Sequence, residues 1–145
     1  MLLALVAMAC EGPAGPPGEP GEPGIGLDIY SPTYTVLARD WERYVAPDGN
    51  VTYKYVFEDD KIYPSDFEDG IVIGYIFYYP EGEDVQAKTT LPYIENFVDR
   101  FGYAYTRHYT FDYSPGYVAF YVQTDSTEPE PPSDCTFQMI FASQQ

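Results

Sequence analysis

The feature that most constrains the fold of this chain is a two-residue alternation of aromatic and polar side chains, which recurs after residue 26. In the segment 51–58 three aromatic residues share one parity: Tyr53, Tyr55 and Phe57. In the segment 103–113 five do so: Tyr103, Tyr105, Tyr109, Phe111 and Tyr113. Successive side chains of a β-strand point to opposite faces, so the alternation predicts strands that bury one face.

Turn-forming residues separate the alternating segments, for example Pro47-Asp48-Gly49-Asn50 and Ser114-Pro115-Gly116. The predicted strands are 34–39, 51–58, 71–79, 85–91, 103–113, 117–124 and 135–142. Residues 71–79 are apolar on both parities, which indicates an interior strand. Sustained helical periodicity is absent, and residues 93–101 are compatible with one helical turn at most. We therefore predict an all-β fold over residues 27–145, an antiparallel β-sandwich of immunoglobulin-like size with about seven strands.

The first nine residues are apolar and are followed by Cys10. Such a run is too short to span a bilayer, which needs about 20 residues, but it matches the apolar core of a signal peptide. The positive charge usual in signal peptides is missing from residues 1–10. The junction Ala7-Met8-Ala9-Cys10 resembles a bacterial lipobox. We predict that residues 1–9 are a signal peptide and that Cys10 is lipidated; an ordinary secretory signal with an incidental cysteine is the alternative.

Residues 10–26 carry a collagen-like repeat. Glycine recurs every third residue, at positions 12, 15, 18, 21 and 24, with prolines between. Only glycine fits at the axis of a collagen triple helix, so this period favours the Gly-X-Y structure. Five triplets offer little against the entropy of ordering three chains. We therefore favour an extended spacer of roughly 45 Å, at about 3.1 Å per residue, over a triple helix.

The charge balance excludes one class of partner. Seven basic residues stand against 23 acidic ones, which gives a formal net charge of −16. Nucleic-acid binding depends on neutralising phosphates, and peripheral binding to anionic lipid depends on basic residues. The sequence therefore predicts no nucleic-acid partner and attachment to membrane lipid only through Cys10.

No arrangement of residues predicts catalysis or a metal site. His108 is the one histidine, and it lies on the parity opposite the tyrosines, so it is predicted on the surface. Acidic clusters at 58–60, 66–69 and 81–84 lack the spacing of a calcium loop, so we expect solvated charge; calcium is the alternative. Cys135 lies in an apolar segment and is predicted to be a small buried side chain, with a reactive thiol as the alternative. We expect no catalytic residue and no cofactor.

The chain has 16 tyrosines and nine phenylalanines. This exceeds the need of one small core, and tyrosine keeps a polar tip that suits an interface. The tyrosines together with Trp41 could therefore form a sugar-stacking platform or a protein-binding face, although an aromatic stripe in a sandwich is more often core.

Several segments together resemble a family of short Bacteroidota envelope lipoproteins. They are the residues Cys10-Glu11-Gly12-Pro13, the glycine repeat, the segment 65–75, the turn Leu91-Pro92-Tyr93 and the segments 109–113 and 116–122. The chain departs from that pattern at its last five residues. The resemblance implies an outer-membrane lipoprotein with a collagen-like stub and a small β-rich domain, and it implies no activity.

These observations predict a non-catalytic outer-membrane lipoprotein, an accessory or scaffold subunit of a membrane-anchored assembly with other envelope proteins as partners. Two alternatives stay open: a tyrosine-rich glycan-binding module and a self-associating collagen-like adhesin. The sequence leaves both the periplasmic and the cell-surface face open, and it does not indicate which residues bind a ligand.

Overall fold

The computed structural model describes residues 15–21, 24 and 26–144. These residues form ten strands: β1 (Leu27–Tyr30), β2 (Thr33–Val36), β3 (Glu42–Val45), β4 (Val51–Glu58), β5 (Ile71–Tyr78), β6 (Ala87–Thr90), β7 (Tyr93–Val98), β8 (Ala104–Ser114), β9 (Tyr117–Thr124) and β10 (Cys135–Gln144). Two short helices accompany them, a 3₁₀ helix at Ala38–Asp40 and α1 at Pro64–Glu68. The chain is thus almost entirely β, as the alternation predicts.

The strands form two antiparallel sheets of five strands each. Sheet A has the order β1-β10-β5-β6, with β2 also paired to β10, and sheet B has the order β3-β4-β9-β8-β7. The predicted antiparallel β-sandwich is therefore confirmed. Strand β5 has a hydrogen-bonded neighbour on each side, as predicted for an interior strand.

Strand β10 organises sheet A. Its first half pairs with β2, its second half pairs with β1, and β5 lies along its other edge. Ser31 and Pro32 separate β1 from β2, and the carbonyl of Pro32 accepts a hydrogen bond from the Met139 N–H at 3.0 Å. Proline has no N–H to donate, which suits this position at an edge.

The core between the sheets is aromatic. The rings of Phe120 in β9 and Phe137 in β10 stack at 4.1 Å between centroids, with 9° between their planes. Tyr34 and Phe57 pack beside them. Inward-facing tyrosines of β4 and β8 surround this stack, so aromatic residues placed on one parity by the sequence do form the core.

Three strands, β1, β3 and β7, were not among those predicted. The interpretation of residues 93–101 as a helical turn is wrong, because Tyr93–Val98 pairs along its whole length with β8. Helix α1 was also not predicted; the Asp66 carboxylate accepts the Tyr63 N–H at 2.8 Å and so begins that helix. Tyr103 precedes β8 and is exposed, so it does not share the buried face of the other aromatic residues.

The predicted hairpin at residues 114–116 is confirmed. Ser114 and Tyr117 are opposite each other, and Gly116 has φ +84°. A type II turn places proline first and requires a positive φ in the second central residue, which Pro115 and Gly116 provide.

Candidate functional site

A cleft of about 330 Å³ opens between the two sheets. Its walls come from β5 and the beginning of β10 on one side and from β7 and β8 on the other. We call it the Arg107 cleft, and its main lining residues are Ile76, Tyr78, Glu95, Phe97, Arg107, Tyr109, Asp134 and Cys135. Charged, phenolic and apolar groups therefore meet in one half-open cleft, a combination that is typical of a small-ligand site.

Arg107 is the unusual residue of the cleft. Its side chain lies on the same parity of β8 as Tyr105 and Tyr109, and the residue is only 4% exposed. The guanidinium carbon lies 3.9 Å from the centroid of the Phe97 ring, within the range of a cation–π contact. A buried charge is costly unless it is paired, so this position requires an explanation.

The hydrogen bonds of Arg107 fasten the loop between β9 and β10. Its Nη2 donates to the carbonyls of Glu130 and Pro131 and to the Tyr105 hydroxyl, the last at 3.1 Å. A guanidinium has five N–H donors, and all three bonds leave from this one nitrogen. In the part of the chain that the structure describes, Nε of Arg107 is buried and has no acceptor.

Glu95 lies beside it on the wall formed by β7. One carboxylate oxygen accepts the Tyr93 hydroxyl at 3.0 Å, and the other accepts the Tyr109 hydroxyl at 3.1 Å. Burial, followed by the hydrogen bond to Glu95, raises the pKa of Tyr93 to about 12. Burial and the charge of Glu95 raise the pKa of Tyr109 further. Both phenols therefore stay protonated as donors to Glu95.

Cys135 lies on the opposite wall. It is buried, and its thiol donates to the Ser133 carbonyl at 3.4 Å. Burial raises the pKa of this thiol to about 12 despite the nearby charge of Arg107. The prediction of a small buried side chain is confirmed, and a thiol with such a pKa is a poor nucleophile.

A second surface stands out on the outer face of sheet A. Ile29, Ala142 and Ile71 are successive cross-strand partners on β1, β10 and β5, and Ile73 is opposite Ile140 in the next row on that face. We define the aliphatic patch as the exposed apolar residues of this face: Leu27, Ile29, Ile71 and Ile73, with Ala142 and Ile140 between them. Ile71 is 68% exposed. A contiguous apolar surface of this kind marks an interaction site more often than scattered residues do.

The aliphatic patch lies where the spacer joins the sandwich, because Leu27 directly follows Gly26. The described spacer residues are exposed. A Cβ added at Gly15, Gly18, Gly21 or Gly24 would meet nothing within 4 Å. Packing among the described residues therefore does not require glycine at these four positions.

The remaining predicted residues fall in several places. Cys10 and the signal peptide 1–9 lie outside the described residues. His108 is exposed, as predicted, and its Nε2 lies 3.2 Å from the Thr106 hydroxyl. Trp41 is buried and packs edge-on against Phe137, so it does not belong to an exposed platform.

The acidic cluster at 58–60 has a structural role at Asp59. One oxygen of this carboxylate accepts the hydroxyls of Tyr30 and Tyr34 at 2.8 and 2.6 Å, and the other accepts the Lys61 N–H. Among the described residues no group of three histidine, cysteine or carboxylate side chains is placed to hold a metal ion.

Sequence reasoning missed Arg107. The available signal was a charged residue on the aromatic parity of a predicted strand, between Tyr105 and Tyr109. In the described part of the chain no helix is long and apolar enough to cross a membrane. Comparison of the chain with protein-family models, with curated proteins and with solved structures yields no match.

Proposed function

We propose that this protein is a non-catalytic lipoprotein of the outer membrane, anchored by lipid on Cys10, and that it acts as an accessory or scaffold subunit. The lipobox-like junction and the proline-rich spacer support the anchor. The aliphatic patch is the observation that carries the scaffold role. Other envelope proteins are the proposed partners.

The position of the aliphatic patch supports this role. The patch has no charged side chain, although the chain carries a formal net charge of −16. Another protein can therefore dock here with less electrostatic repulsion than on the acidic surface. It also adjoins the spacer, so an anchored molecule would present it at the end of the domain where the spacer joins. Desolvation of Ile29 and Ile71 would supply the driving force for docking.

Photo-crosslinking in intact cells tests the proposal. A photoreactive residue replaces Ile71 in the patch or, as the control, Ile94 of β7. Ile94 has the same side chain and is 55% exposed, but it lies in sheet B. We expect a defined adduct with an envelope protein from position 71 and none from position 94. Absence of an adduct at 71, or the same adducts at both positions, would contradict the proposal.

The glycan-binding alternative is supported by a different observation. The Arg107 cleft presents tyrosine rings beside Glu95 and Asp134, and aromatic faces with hydrogen-bonding groups suit sugars. Calorimetric titration with a panel of polysaccharides distinguishes this function from the scaffold role, because a partner protein on the aliphatic patch would leave the cleft free. Binding of a polysaccharide would support the glycan-binding module, and no binding to any of them would remove it.

The self-associating adhesin is supported by Gly15, Gly18, Gly21 and Gly24, at each of which an added Cβ would meet no described atom within 4 Å. Triple-helix formation would explain them, because glycine alone fits at its axis. Light scattering on the detergent-extracted full chain decides this point. A mass of three chains would favour the adhesin, and a mass of one chain would remove it.

A further inference from the structure

We propose that the Arg107 cleft binds a small zwitterion, an α-amino acid, with its carboxylate on Arg107 and its ammonium on Glu95. This inference does not depend on the proposed function, because the cleft lies between the sheets and the aliphatic patch lies on the outer face of sheet A.

The donors of Arg107 supply the first part of the argument. Its three hydrogen bonds to the loop and to Tyr105 leave from Nη2, whereas Nε is buried and has no acceptor among the described residues. Holding the loop therefore accounts for one nitrogen of the guanidinium. Arg107 is 4% exposed, lines a cleft and has a donor, Nε, without a partner in the described residues, which favours an acceptor from outside the chain. A carboxylate forms a strong charge-assisted hydrogen bond with a single guanidinium N–H, so it is the acceptor that we favour here.

The acceptors of Glu95 supply the second part. Each of its oxygens accepts one tyrosine hydroxyl, and a carboxylate offers about four acceptor positions. Three tyrosine rings pack in a row beside it. The centroid of the Tyr93 ring lies 5.3 Å from that of Tyr78 and 5.9 Å from that of Tyr109. A carboxylate among electron-rich rings is a favourable site for an ammonium group.

Charge excludes a simple anion. Glu95 and Asp134 both line the cleft, and the whole chain is strongly acidic, so a ligand with only negative charge would be repelled. A zwitterion is neutral overall and places opposite charges on the two wall residues. Ile76 and the rings of the cleft leave an apolar surface for its side chain. These features favour an amino acid with an apolar side chain.

Isothermal titration calorimetry on the purified full-length chain tests the inference, with L-leucine as the probe. Hexanoate carries the carboxylate without the ammonium, and glucuronate represents an acidic sugar. We expect saturable binding of leucine and at least tenfold weaker binding of hexanoate. If leucine does not bind, or if hexanoate binds equally well, the proposal is wrong. Binding of glucuronate alone would also overturn it and would support the glycan alternative.

Two variants locate the binding. Glu95→Gln keeps one oxygen that accepts a tyrosine hydroxyl, and its NH2 group can donate to the oxygen of the other tyrosine. It removes the charge that would hold an ammonium, so we expect at least tenfold weaker binding of leucine. Arg107→Lys keeps the charge but loses the fixed N–H donors of the guanidinium, and it is expected to weaken binding similarly. Glu68→Gln on α1, outside the cleft, is the control. Unchanged affinity in folded Glu95→Gln would overturn the assignment even if Arg107→Lys fails to fold.

Discussion

Glu95 and Arg107 are direct cross-strand partners on β7 and β8, yet their charged groups form no ion pair. Opposite charges in such positions usually attract across the strands. Here Glu95 accepts two tyrosine hydroxyls, while Arg107 turns to the loop carbonyls and to the Phe97 ring. The divergence leaves both charges at the wall of one cleft.

Replacement of this arginine tests its role in holding the loop. Arg107→Ala leaves the carbonyls of Glu130 and Pro131 without their donor and removes the contact with Phe97, so we expect a loss of about 2–4 kcal/mol in the free energy of unfolding. Urea denaturation measures it. Arg39→Ala, whose side chain is 81% exposed, is the control and should change stability by less than about 0.5 kcal/mol. A loss below about 1 kcal/mol at Arg107 would show that the hydrogen bonds do not hold the loop.

Ionisation of Asp59 makes the free energy of unfolding depend on pH in the acidic range. Burial alone would raise the pKa of this carboxyl, but the hydrogen bonds from Tyr34, the Lys61 N–H and Tyr30 together lower it below its ordinary value. A lowered pKa in the folded state means that its contribution is present above about pH 4 and is lost as the pH falls through the folded value. Urea midpoints measured through this range should therefore fall less steeply in Asp59→Asn than in the unchanged chain. Asp60→Asn, an exposed neighbour, should keep the original slope; equal slopes in both variants would contradict the assignment.

Ionisation of Tyr93 makes the free energy of unfolding depend on pH in the alkaline range. Its pKa is raised to about 12 by burial and by Glu95. A raised pKa means that the contribution is complete below about pH 10 and disappears as the pH rises toward the folded value. We expect Tyr93→Phe to flatten the loss of stability in this range, as measured by urea midpoints. Tyr103→Phe, at an exposed position, should leave the pH dependence unchanged. If Tyr103→Phe flattened the curve and Tyr93→Phe did not, the role assigned to the hydrogen bond between Tyr93 and Glu95 would be wrong.

Gly74 in β5 is required by close packing. A Cβ at this position would lie 2.6 Å from Cε1 of Phe111 and 3.1 Å from Cδ1 of Leu91. Gly74→Ala should therefore destabilise the sandwich by about 1–3 kcal/mol, because the ring of Phe111 must move. Thermal unfolding measures this, with Gly24→Ala as the control in open space. An unchanged melting temperature would mean that Phe111 repacks freely.

The sequence indicates much of this sandwich, and the failures have physical causes. The bounds of β4 and β9 were predicted correctly because strong alternation ends at clear turns. Strands β1 and β3 have only four residues each and are exposed along almost their whole length, so they show no alternation of buried and exposed residues. In β7 the exposed parity carries Ile94 and Val98, so apolar residues occur on both parities and hide the alternation.

The two surfaces were harder to predict. Residues 71–79 are apolar on both parities, which indicated an interior strand, but exposure of Ile71 and Ile73 shows that the outer face is uncovered at one end. Only the pairing of β1, β10 and β5 brings the aliphatic patch together. The Arg107 cleft likewise needs β5 and β10 opposite β7 and β8, and no local pattern encodes that relationship.

Fractionation of cells that express Cys10→Ser tests the central claim most directly. If lipid on Cys10 holds the protein, the variant should leave the membrane fraction and appear in the soluble fraction, while the unchanged chain stays with the membrane. Two or more acyl chains at about 0.8 kcal/mol per buried methylene are needed for stable anchoring, so their loss should be decisive. A Cys10→Ser protein that remains fully membrane-bound would contradict this account.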